Sequence, residues 1–412
     1  MRRIARVLLL LFAFAIPWEY SLDLGEPLGN VARIVGVLVL IVGVPAVLQA
    51  GRVRTPGPMQ WLVLAFFLWL CCTYFWTIDA EVTLTKLRGY FQEVMVVWLV
   101  WEFAESPARL RDLLRAYIAG SWVLAALTIE NFSSLQAAVA EPMRFVAYGQ
   151  DPNDVARFLD LGFPFAALLL RSELRWPARL LALGYLPLGL FAVLLTASRG
   201  GFLAALAALG GCGILLMRRR GKMLLPVLLF VPVVATALWF VVPHTVFDRL
   251  ATIPEQLQSG DLNQRINIWA VGWRAFARAP LLGTGAGTFV TAAGLAPIDT
   301  AHNTMLSILV SGGLCALFLA AAIVILAVRS VWALRGGLRI ALTTALLVWM
   351  VSSLAATVEE NRTTWLLLAL IALAARFAVN DPQELDACFP ADSSHGDIVC
   401  GPQGGTVLAV EG

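Results

Sequence analysis

The sequence predicts an all-α, polytopic membrane protein of about twelve transmembrane helices, with one large loop outside the cytoplasm late in the chain. Three observations carry that prediction. Apolar runs of roughly 20 residues recur along the chain, each long enough to cross a ~30 Å hydrocarbon core. Charged residues make up only 14% of the 412, against ~25% in soluble domains. Arginine and lysine concentrate in alternate connections between the runs, as a cytoplasmic set must.

In order, the predicted spans are 4–20, 31–50, 59–77, 91–104, 113–130, 155–171, 178–196, 201–217, 223–243, 303–328, 340–357 and 364–379. The first, "MRRIARVLLLLFAFAIPWEY", has the shape of a signal peptide: a basic start, an apolar run and small residues near its end. It reads as a retained first span, because so many further spans need no separate export signal. Arg2, Arg3 and Arg6 define one side. Arg52 and Arg54, Arg109 to Arg115, Arg171 to Arg179, "RRRGK" at 218–222, and Arg329 to Arg339 join them. Both termini are then cytoplasmic. The less basic connections, 18–30, 77–90, 131–154, 197–200, 244–302 and 358–363, face the other way. Several of the fourteen tryptophans fall at span ends as an interfacial belt. Residues 1–379 form one transmembrane domain carrying the loop 244–302, and 380–412 read as a cytoplasmic, mostly disordered tail.

Other features exclude functions. Six cysteines suggest no disulfide framework, and the spacing of Cys388, His395 and Cys400 fits no zinc motif. The net charge of +3 is near balance, and nothing points to nucleic acid. Neither a metal nor an organic cofactor is expected.

The candidate chemistry lies on the outer side. His302 sits at the end of the longest loop, one of three histidines, where the next span begins. The macrodipole at a helix N-terminus disfavours imidazolium, and a neutral ring suits a general base. Upstream, "NQRINIWAVGWRAFARAPLLGTGAGTF" spans 263–289. On a helix, Arg265, Trp269, Gly272 and Phe276 share one face, with Arg274, Arg278 and Asn267 opposite, as in a helix lying at the interface. Arg265 on the aromatic face requires an anionic partner, from the protein or from a ligand. "GTGAGTF" at 283–289 follows no strand and opens no βαβ unit, so it is no dinucleotide site; a glycine turn allowing close backbone approach explains it better. "TASRGG" at 196–201 confines Arg199 to a tight turn on the same side. In "GQDPNDVAR", Asp151, Pro152 and Asp154 have the pattern of a capped helix start, with Arg157 one turn in. "TLTKLRGY" brings Lys86 and Arg88 to the outer side as well. Asp299 is near enough in sequence to orient His302.

A neutral base gathered with several arginines at one membrane face suits a phosphate or diphosphate. At that depth the diphosphate would belong to a lipid-linked donor. Its sugar–diphosphate bond is already activated, so the protein needs only to neutralise the leaving group and deprotonate a hydroxyl.

This pattern resembles the O-antigen ligase and polymerase superfamily of bacterial envelope glycosyltransferases. The resemblance rests on "TASRGGFLAAL" (196–206), "RINIWAVGWRAFARAPLLGTGAGTF" (265–289) and "HNTMLSILVSGGLCAL" (302–317), in that order. "FWTIDAEVTLTKLRGY" (75–90) and "GQDPNDVAR" are similar more loosely. The resemblance implies a GT-C-like membrane fold and a metal-independent transferase that uses an undecaprenyl-diphosphate-linked glycan donor. It implies that His302 activates the acceptor hydroxyl while Arg199 and Arg265, with Arg88 as a weaker match, hold the diphosphate. The acceptor would be lipid A-core in a ligase or another lipid-linked repeat unit in a polymerase; no motif separates the two. The main rival is a transporter or flippase, which normally places charged or broken-helix sites near mid-membrane. A scaffold whose arginines bind only lipid headgroups is the other.

Overall fold

The computed structural model describes residues 1–25, 29–135, 144–173, 175–217, 224–258, 260, 262, 264–297 and 299–390. The "RRRGK" segment and most of the predicted tail lie outside them. The architecture is all-α. In chain order the helices are α1 (Arg2–Ala15), α2 (Val31–Ala50), α3 (Pro58–Cys72), α4 (Ala80–Phe103), α5 (Pro107–Leu135) and α6 (Pro152–Ser172). Then come α7 (Trp176–Leu195), α8 (Arg199–Met217), α9 (Leu224–Val241), α10 (His244–Ala251), α11 (Ile253–Gln258) and α12 (Arg265–Arg278). The remainder are α13 (Phe289–Ala293), α14 (Thr304–Ala333), α15 (Gly336–Ser353), α16 (Arg362–Asn380) and α17 (Pro382–Cys388).

Among the described residues, nine helical segments are long and apolar enough to cross a membrane unaided. A bent pair within Val231–Gln256, turning by 105°, makes a tenth if counted as one span. The protein is a multi-pass membrane protein. Two of the twelve predicted spans, α4 and α6, fail the apolarity test because charges run through them. α6 carries Asp154, Arg157 and Asp160, yet from Val155 to Leu170 every residue is buried. It packs against α5, α7, α8 and α15, so these charges face protein rather than lipid, where polar groups are tolerated. α4 starts at Ala80, well before the predicted 91, because Asp79 caps it by accepting from the Val82 amide at 3.1 Å.

The tail departs from expectation at its start. α17 packs on α5 and α16, with Leu385, Cys388 and Phe389 buried. Disorder therefore does not begin at 380. The sequence suggests no disulfide framework, yet Cys388 is disulfide-bonded.

α14 is broken at Gly313, whose φ of 66° and ψ of −166° are not helical. The break is filled by the glycine-rich loop. The Thr284 and Gly285 amides donate to the Val310 and Ser311 carbonyls at 2.9 and 3.0 Å. The Leu314 amide donates to the Pro280 carbonyl at 2.9 Å, and the Trp69 indole to the Gly312 carbonyl at 2.8 Å. Backbone groups at membrane depth must be satisfied within the protein, and this loop satisfies them. A Cβ on Gly313 would lie 2.3 Å from the Leu281 carbonyl oxygen, so only glycine fits. The sequence expectation of close backbone approach at 283–289 thus holds, and the approach is made to the helix break at Gly313.

Candidate active site

Each predicted site residue but one comes from a helix start at the same end of the bundle. Arg199 opens α8, Arg265 opens α12, and His302 sits just before α14. All three entries are strained in the same way. Ala197 (φ 48°), Gln264 (φ 63°) and His302 itself (φ 46°) adopt the left-handed conformation. The αL geometry costs a non-glycine residue roughly 1–2 kcal/mol. Such strain persists only where surrounding structure enforces it, and it concentrates at functional sites.

The enforcing contacts are visible. The Trp269 indole donates to the Ala301 carbonyl at 3.1 Å, tying α12 to the peptide that precedes His302. Ile268, Ala275, Phe289, Ala301 and Leu306 form a small core beneath, so the α12 face read from sequence is the buried one. Asn303 caps α14 by accepting from the Leu306 amide at 2.9 Å. The turn ahead of α8 is held by two arginines that sequence reasoning did not single out. The Arg144 Nε donates to the Thr196 carbonyl at 3.0 Å, and the Arg249 Nε to the Ala197 carbonyl at 3.1 Å. Arg199 returns a bond to the Arg249 carbonyl at 3.3 Å. No motif marks Arg144 or Arg249; only their side of the membrane hinted at them.

The electrostatics show that these groups share one environment. Burial, and then the charge of Arg265, hold His302 below the ordinary imidazole pKa, with Asp151 and Asp299 opposing. Burial, not the helix dipole expected from sequence, is thus the first cause of its neutrality. Burial lowers Arg265, with Asp151 raising it and Arg199 lowering it again. Arg144 falls to about 10 through burial and through Arg249, with Arg265 and Arg199 adding to the effect. Four arginines, His302 and Asp151 therefore act on one another. Among the described residues, neither the His302 imidazole nor the Arg265 guanidinium has a hydrogen-bond partner. Asp299 does not orient the ring: its Oδ2 accepts from the Ala296 amide at 3.1 Å.

The other candidates fall elsewhere. Asp151 caps α6 through the Asn153 amide at 2.8 Å, as predicted, while its charge also reaches His302. Arg157 is buried and paired with Asp154 at 2.7 Å. Lys86 is paired with Glu360. Arg88 stands apart: it lines a separate cavity, and its charge is not among those acting on His302 or Arg265.

Residues 184–321 match the O-antigen ligase family. This segment contains Arg199, Arg249, Arg265, the loop that fills the α14 break, and His302. The match agrees with the resemblance read from the sequence and supports an activity of the O-antigen ligase or polymerase type, that of a membrane glycosyltransferase. The matched segment is about a third of the chain and excludes Arg88, Arg144 and Asp151. Among curated proteins, none matches the chain.

Proposed function

We propose that the protein transfers a glycan from an undecaprenyl-diphosphate-linked donor to an acceptor hydroxyl, in the manner of an O-antigen ligase, at the periplasmic face of the bacterial inner membrane. One observation carries this reading. His302 and Arg265, each without a hydrogen-bond partner among the described residues, lie within reach of one another's charge in a group of four arginines. A neutral imidazole among guanidinium groups is the pairing that a hydroxyl and a diphosphate require. The acceptor oxygen attacks the anomeric carbon, its proton passes to His302, and the bond from that carbon to the diphosphate oxygen breaks. Arg265 and Arg199 neutralise the departing diphosphate, where fixed charges aimed at developing charge act most strongly. Arg144 and Arg249 position the turn that carries Arg199. The chemistry asks for no metal or organic cofactor. The loop 244–302 is the element that supplies it, and the donor's lipid stays in the bilayer.

The test is a reconstituted reaction with purified undecaprenyl-diphosphate-linked glycan, EDTA and either lipid A-core or a second lipid-linked repeat unit. Transfer to lipid A-core that is lost in His302→Ala supports the ligase reading. Transfer only onto repeat units would make the protein a polymerase of the same superfamily. Undiminished transfer by His302→Ala would remove the base assignment.

A further inference from the structure

The cavity that holds Arg88 is used by no step above. It encloses about 880 Å³, within the ~300–1,000 Å³ of small-molecule sites. Its walls come from Tyr20–Asp23, Gly29, Asn30 and Arg33, one face of α4, Tyr148–Gly149, and Glu360 and Arg362 at the entry to α16. Two of these segments also border the His302 group. Asp151, three residues after Tyr148, acts on His302. The Val358 amide donates to Thr304 Oγ1 at 2.9 Å, two residues after His302.

The cavity is lined by Arg33, Arg88 and Arg362 and by Asp23, Glu93 and Glu360, and these charges are unevenly paired; Asp23 accepts from the Gly25 amide at 3.0 Å. Arg362 is paired with Glu19 and donates to Gln92 at 2.7 Å, and Glu360 takes Lys86. Arg33 and Arg88 remain, and among the described residues neither guanidinium has a hydrogen bond or ion pair. The cavity is also lined by Asn30, the cap of α2, so the positive end of that helix dipole opens on the same space. Two guanidinium groups without a carboxylate partner and one helix N-terminus thus face the same space, with Asp23 the carboxylate at its edge. On α4, Glu93 is buried with its Oε2 unpartnered, an acceptor waiting for a donor. Tyr148, 83% exposed, presents a bare aromatic ring at the rim.

We infer that this cavity is an acidic-sugar subsite, which binds a carboxylated or phosphorylated sugar ring of the transferred or accepting glycan. Arg33 and Arg88 take the anion, Glu93 accepts from a ring hydroxyl, and Tyr148 covers the apolar face of the ring. A simple lipid diphosphate would satisfy the arginines but leave Glu93 and Tyr148 without work. The inference rests on the glycan-transfer reading for its substrate class, but binding can be measured without transfer.

The experiment uses the full-length protein in detergent, with glucuronate and glucose as a matched anionic and neutral pair and farnesyl diphosphate as the diphosphate probe. Glucuronate should bind at least tenfold more tightly than glucose. Arg33→Gln and Arg88→Gln should each abolish that preference while leaving farnesyl diphosphate affinity within twofold. Tyr148→Ala should weaken both sugars alike and serves if an arginine variant does not fold. Equal binding of the two sugars by the wild type would overturn the proposal. So would loss of farnesyl diphosphate rather than glucuronate in Arg88→Gln, which would return Arg88 to the diphosphate. In the transfer assay, Arg88→Gln should raise KM for one glycan substrate at constant kcat: for the acceptor if the acidic ring is the acceptor's, for the donor if it is the donor's. An unchanged KM for both would also count against the subsite. A protein that selects glucuronate yet transfers nothing would break the glycan-transfer reading alone.

Discussion

The two ends of the helix bundle use arginine in opposite ways. At one end, Arg2 and Arg6 reach Glu102 and Glu105 at 2.6 to 2.7 Å, Arg109 and Arg115 share Asp112, and Arg115 also takes Glu173. Each of these four guanidinium groups meets a carboxylate. At the other end, Arg144, Arg199 and Arg249 grip backbone carbonyls, the charge of Arg265 acts on His302, and like charges lower the pKa of Arg144 and Arg265. Paired charges bind helices together. Like charges packed together cost stability, which surrounding contacts must offset, and they concentrate positive potential on one small space. The contrast separates arginines neutralised by carboxylates from arginines set among like charges.

Substitutions can break that contrast, and the largest effect should come first from the base. His302→Ala should slow transfer by roughly 10²–10⁴-fold, the range for losing a general base, with an unchanged unfolding temperature. Arg265→Lys should cost roughly 10–100-fold, as expected for charge-assisted hydrogen bonds worth ~1.5–3 kcal/mol, because an ammonium cannot make a bidentate pair. Rates near wild type would make Arg265 another structural charge. Arg265→Gln carries a second signature. Removing the positive charge eases protonation of His302, so its pKa rises and the acid limb of the pH–rate profile should move to higher pH. A limb that stays in place would separate the two residues. Trp269→Phe removes the bond to the Ala301 carbonyl and should cost about 1 kcal/mol of stability, with slower transfer and an unchanged donor KM. Glu102→Gln at the paired end should be the mildest: about 1 kcal/mol or less of stability, since Arg2 keeps Glu105, and no change in transfer per folded molecule.

Much of this was legible in the sequence, for identifiable reasons. The all-α, multi-pass architecture follows from hydropathy, although nine or ten of the described segments, not twelve, are apolar enough to span. The buried face of α12 follows from helical period. Asp151 as a cap follows from its neighbours Pro152 and Asp154. What was not legible depends on contacts distant in sequence. Nothing local tells that Arg144 reaches Thr196, 52 residues on. Neither could local pattern show that Arg88 faces Arg33 across a cavity instead of joining Arg265. The early start of α4 was missed because charged residues over 81–88 hide its helical period from a hydropathy reading. The Gly313 break was hidden for the opposite reason: the span stays apolar straight through it.

That break has a consequence for how the chain is built into the membrane. Until residues 280–285 are in place, the carbonyls and amides around Gly313 would face hydrocarbon unsatisfied, at several kcal/mol each. The first half of α14 therefore cannot settle at its depth before the preceding loop has docked. The loop that completes the helix is continuous with α12, and α12 holds the peptide before His302. Insertion of α14 and placement of His302 are thus coupled: a nascent chain whose loop has not engaged has neither a settled span nor the peptide before His302 held in place.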